Sequence, residues 1–217
     1  MKTALISVSE KIQKGIEFHL SPQGIQVFLC DALNFLKNNS QDLKIDQDRT
    51  HLQSLLFKMG WIDDDSFGLK GLEIPSLSLQ EIEIWRSELQ DGKVIHNNAI
   101  SPGCGKMLEG LDSLGEHEWI SDNMEALLRH VEVARRDSLN KFTFSLTKEL
   151  TWLEKLDILI LFCRYARRHQ DLRFLNAALK TNEYWFKRLS NKNHLLRFAR
   201  YTISLAEQEY CVKVMLR

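Results

Sequence analysis

Apolar residues fall at helical spacing through most of the chain. After Ser21-Pro22, a helix-starting pair, Ile25, Phe28, Leu29, Ala32, Leu33 and Leu36 recur at i, i+3, i+4, i+7, i+8 and i+11 and predict an amphipathic helix. Asp46 to Met59 predicts another, ended by Gly60, and Ser78 with Glu81 forms a capping-box pattern ahead of Leu79, Ile82, Trp85 and Leu89. Met124, Leu127, Leu128 and Val131 predict a helix beginning after Ser121 or Asp122. Thr151 with Glu154 caps a further one that runs to about His169, and its segment Ile158 to Cys163 is apolar on nearly all sides, which predicts burial among neighbours. Asp171 starts the next helix and a last one fills the end of the chain.

Breakers support this reading. All three prolines and all ten glycines lie at or before position 115, so the stretch 116–217 lacks both residues that most often interrupt helices. The expected fold is therefore all-α, built of packed helical hairpins, as one unit over 1–217. Within it, 1–115 is acidic and loop-containing, and 116–217 is continuously helical with a basic end. Ala4 to Val8 also alternates well enough for a short strand within residues 3–9, while Leu5, Val8, Ile12 and Ile16 fit a helical face. Residues 61–77 and 92–106 read as loops.

A spacing of about 33 residues recurs in the C-terminal two-thirds. Trp85, Trp119, Trp152 and Trp185 are separated by 34, 33 and 33 positions, and Val133-Ala134-Arg135-Arg136, Tyr165-Ala166-Arg167-Arg168 and Phe198-Ala199-Arg200-Tyr201 by 32 and 33. Such a period suits stacked helix-pair units, each too small to bury its apolar face alone.

Charge refines the picture. The formal net charge is zero, yet residues 1–138 carry 14 Lys and Arg against 22 Asp and Glu, whereas residues 139–217 carry 15 against 7. A split of this kind serves either an anionic partner or attraction between two parts of one fold. The basic set Arg135, Arg136, Arg164, Arg167, Arg168, Arg173, Arg197 and Arg200 is the main candidate surface, with Arg135, Arg136, Arg167, Arg168 and Arg200 as the binding residues if the units stack. Pairing with the acidic N-terminal part is the competing expectation for the same side chains.

Catalytic and metal signatures are weak. Gly103-Cys104-Gly105-Lys106 lacks the earlier Gly and the following Ser or Thr of a phosphate-binding loop, so a turn before a helix is expected there. Cys104, Lys106, His96 and His117 are the weak catalytic candidates, because a loop thiol beside a lysine or a helix start would be activated. The seven histidines show no metal spacing, Asp63-Asp64-Asp65 lacks the partner acids of a calcium loop, and the four cysteines form no CxxC pair. No metal and no cofactor is expected. The longest apolar run, Ile158 to Cys163, is far short of the ~18 residues of a membrane span. Together with widely spaced cysteines and no export signal, this points to the cytoplasm and away from membranes.

The reading that follows is a helical scaffold or adaptor that binds a protein partner through an arginine-bearing surface. The alternative is an enzyme or accessory subunit of small-molecule metabolism, with a site at the 94–106 loop, and it requires a deep pocket there. An anionic ligand is a further candidate partner. Nucleic-acid binding through the basic C-terminal part ranks last, since no reader motif accompanies the charge.

Overall fold

A computed structural model describes residues 22–39, 43–63, 80, 83–84, 87, 92–96, 99–115, 117–137, 151–186 and 195–216. These residues form helices α1 (Pro22–Asn39), α2 (Leu43–Lys58), α3 (Cys104–Leu114), α4 (His117–Asp137), α5 (Trp152–His169), α6 (Leu172–Phe186) and α7 (Leu195–Met215). One two-residue ladder joins them, β1 (Ile95–His96) and β2 (Ala99–Ile100). The protein is all-α. The strand option for residues 3–9 and the Ser78–Glu81 capping box lie outside the described residues.

The chain divides into two compact units, Met1–Leu72 with Leu179–Arg217, and Glu73–Ala178. In the first unit, α1 buries the stripe its spacing predicts: Phe28, Leu29, Ala32, Leu33 and Leu36 are enclosed, while Val27, off the stripe, is exposed. Phe198 of α7 meets Phe28 and Phe35 of α1 edge-on, at ring centroid distances of 6.3 and 5.7 Å. Between α2 and α7 there are polar contacts among the described residues. Arg200 lies 3.0 Å from Asp48, His51 lies 3.1 Å from Glu207, and the Lys213 ammonium donates to the Met59 carbonyl. Both sets of numbers rise together, so the two helices run in the same direction. Gly60, at φ 69°, ends α2 in the left-handed conformation, with its N–H and that of Trp61 returning to the last turn. Eight consecutive residues of α7, Tyr201 to Gln208, are buried, and among them Thr202, Ser204, Glu207 and Gln208 are polar.

In the second unit, α5 is the central helix. Ile158 to Cys163 are all at most 5% exposed, which is the all-round burial their uniform apolarity implies. Thr151 accepts from the Glu154 N–H and Glu154 returns a carboxylate to the Thr151 N–H, so both halves of the capping box form. The helix ends at Gln170, whose φ of 55° is the only positive value outside glycine among the described residues.

Two boundaries differ from the sequence expectation. Residues 92–106 are not an open loop. The described residues among them hold the β1–β2 ladder and the first turn of α3, and Asn123 anchors the backbone leading into β1: its Oδ1 accepts from the Val94 N–H at 2.9 Å and its Nδ2 donates to the Gly92 carbonyl and, within α4, to that of Trp119. Helix α4 begins at His117, ahead of the Ser121 or Asp122 boundary that its apolar stripe suggested, since Trp119 and Ile120 already belong to the packed face. Trp119 and Trp152 occupy the first turns of α4 and α5, whereas Trp185 lies in the last turn of α6. Trp119 is the third residue of α4 and Trp152 the first of α5. No helix among the described residues is long and apolar enough to cross a membrane.

Candidate functional site

The seam between α3 and α5 concentrates the charged chemistry of the second unit. Glu109 and Asp112 stand three residues apart on α3, and Arg164 and Arg168 stand four apart on α5, so each pair occupies one face of its helix. Arg168 Nη2 reaches Glu109 Oε1 at 2.6 Å and its Nη1 reaches Asp112 Oδ2 at 2.6 Å. Arg164 adds a contact of 3.3 Å to Glu109, and His169 Nε2 lies 2.7 Å from Asp112 Oδ1. The carboxylates are nearly sealed, with side-chain exposures of 8% and 1%, whereas Arg168 keeps 32% and His169 30%. Ser113, exposed in the last turn of α3, donates to the Glu109 carbonyl and accepts from Arg168 Nη1 at 3.3 Å.

Around this cluster, the His169 ring leans on Tyr165 at a centroid distance of 4.1 Å, and Tyr165 packs edge-on against Phe174. Burial pushes the Tyr165 phenol up, against the lowering effect of its hydrogen bond with Ser121. Farther along, Arg173 grips Asp171 and Glu125, and its hydrogen bonds hold the Asp171 carboxyl below the usual carboxylate range.

The binding candidates fall on three helices. Arg167 and Arg168 end α5, the first half-buried and the second held by the α3 carboxylates. Arg135 and Arg136 end α4, with side chains outside the described residues. Arg200 belongs to the first unit, where it pairs with Asp48. Arg164, Arg168, Arg173 and Arg200 all meet acids that precede residue 139, so these pairs join the two oppositely charged parts of the sequence.

The weak catalytic candidates do not converge. Cys104 is 2% exposed, and burial, reinforced by Glu154 and Asp157, pushes its thiol up to about 12, the reverse of the activation a nucleophile needs. Lys106 is exposed in the first turn of α3, and His96 is half-buried on β1. His117 opens α4, its side chain outside the described residues. The depression lined by Gly103, Cys104, Gly105, Lys106, Glu154 and Asp157 has a volume of about 10 Å³, room for about one water molecule. Gly105 explains how tightly the site is closed: a Cβ there would lie 3.2 Å from backbone atoms of Asp157 and Ile158. No group of three or more potential metal ligands comes together among the described residues.

Sequence reading did not single out Glu109, Asp112, Asn123 or Glu207. The first two carried a faint signal, acids spaced three apart on a glycine-bounded apolar stretch, matched by arginines four apart some 55 residues later. The chain matches no protein family model, no curated protein and no solved structure.

Proposed function

We propose that this chain is a helical scaffold or adaptor that binds a protein partner, with the arginine-bearing helix ends as its contact surface. One observation carries the reading: in the described residues, the side chains best suited to chemistry face one another across helix seams. Cys104 is enclosed, Glu109 and Asp112 are sealed beneath Arg164, Arg168 and His169, and Glu207 is buried against His51. What such an arrangement offers a second molecule is a rigid outer surface. A helix-pair repeat of about 33 residues, supported by Trp119 and Trp152 both lying in first turns, would set Arg135-Arg136 and Arg167-Arg168 near equivalent C-terminal ends of α4 and α5. Cations at that end complement the helix dipole, and arginine pairs with carboxylates in bidentate geometry. The same reading places the protein in the cytoplasm, consistent with four cysteines outside any disulfide.

The test is crosslinked affinity capture from the native cells with the full chain and with an Arg136→Glu, Arg167→Glu double variant, followed by calorimetry on any purified partner. A partner that binds the parent chain and loses at least tenfold in affinity with the variant supports the reading. Equal binding by both removes the arginine surface, and a chain that captures nothing removes the adaptor.

A further inference from the structure

Ser113 combines three properties. Its side chain is exposed, it sits two residues before the left-handed Gly115 that ends α3, and its hydroxyl lies within hydrogen-bond reach of the guanidinium that clasps α3 to α5. In the sequence it is followed by Glu116 and Glu118, and Glu118 is exposed. Acidic residues just after a serine suit a protein kinase whose substrate groove is basic, since charge patterns of this kind select kinase substrates. We propose that Ser113 is a phosphorylation site, and that a phosphate there draws Arg168 away from Glu109 and Asp112.

In the reaction, Ser113 Oγ attacks the γ-phosphorus of ATP, the bond to the β,γ-bridging oxygen breaks, ADP leaves, and the hydroxyl proton passes to the kinase's base. The serine then has no hydrogen to give the Glu109 carbonyl. The new group carries roughly −1.5 to −2 charge at neutral pH and pairs with arginine through two parallel hydrogen bonds. It also stands at a helix C-terminus and beside Asp112, where negative charge is unfavourable. Turning Arg168 outward relieves that repulsion, leaving Glu109 with Arg164 and Asp112 with His169. The clasp between α3 and α5 thereby loosens. This inference does not rest on the adaptor reading, although it shares Arg168 with it: the experiment reads phosphate transfer, titration and melting, not partner binding.

The experiment treats the full chain with ATP and an acidophilic serine/threonine kinase, and in parallel prepares the chain with phosphoserine encoded at position 113. The expected result is one phosphate mapped to Ser113, absent from Ser113→Ala, with a melting temperature lowered by about 2–4 °C. In an Arg168→Gln background the same phosphate should shift the melt by less than half as much. Phosphorus NMR supplies a readout that needs no variant: paired with Arg168, the phosphate's second ionisation falls below that of a phosphoserine peptide, ordinarily near ~6. Failure of the kinase to label Ser113, or a phosphate at 113 that titrates like the peptide, overturns the proposal.

Discussion

Glu154 and Gly103 lie 51 residues apart in the chain, yet the Glu154 carboxylate accepts the Gly103 N–H at 3.2 Å. The other oxygen of that carboxylate accepts the Thr151 N–H at 2.7 Å. A single side chain therefore satisfies backbone donors at the starts of two helices, α3 and α5, which otherwise leave their first N–H groups without intrahelical partners.

Replacing Glu154 with Ala removes both bonds at once. The expected cost is about 1–2 kcal/mol in urea unfolding, at the upper end for a capping residue. Glu154→Gln, which keeps one acceptor oxygen, should lose clearly less.

Gly105→Ala tests the close approach of α3 to α5. The added methyl would meet backbone atoms at 3.2 Å, and backbone cannot turn aside as a side chain does. We expect a loss of about 1–3 kcal/mol, the range of overpacking. A melt unchanged from the parent would show that the two helices can separate at no cost.

Cys104 should resist a thiol reagent at pH 8 in the folded chain and react at the normal rate once denatured. Its thiol stays protonated far above that pH, and little of it meets solvent. Cys30, half-buried, should react first, although burial raises its thiol as well. Rapid native labelling mapped to Cys104 would contradict the packing of the α3 start.

His130 provides a pH dependence. Its Nε2 is buried without a hydrogen-bond partner, and burial lowers its pKa. The unfolded chain takes up a proton near ~6.5, while the folded chain resists it until lower pH. Between those values the unfolded state binds more protons, so stability declines as pH falls below about 6.5. Comparing the parent with His130→Gln at pH 7.5 and 5.5 isolates the effect: the parent should lose more stability over this interval.

How much of this was legible beforehand depended on range. Helix α1 was readable because its core positions are local and strictly spaced, and the start of α5 because Thr151 and Glu154 lie within one turn. The hairpin was not, since strands of two residues leave no alternation to detect and its anchor, Asn123, is 29 residues from Val94. The α3–α5 clasp was hidden for the same reason, its partners being 55 to 59 residues apart. Only the lopsided charge of the chain hinted that its arginines would be answered from within. The apparent equivalence of Arg200 with Arg167 followed spacing alone, and spacing does not record that Arg200 lies early in its helix and Arg167 late.

The parallel pairing of α2 with α7 bears on the order of assembly. His51 and Glu207 are 156 residues apart, and Met59 and Lys213 are 154 apart. During synthesis at roughly 5–20 residues per second, α1 and α2 leave the ribosome many seconds before their partner helix exists. Through that interval the apolar faces of α1 and α2 have no α7 to cover them, while every helix of the second unit up to Ala178 has already been made. Helix α7, made after the helices of the second unit, thus completes the unit to which α1 and α2 belong.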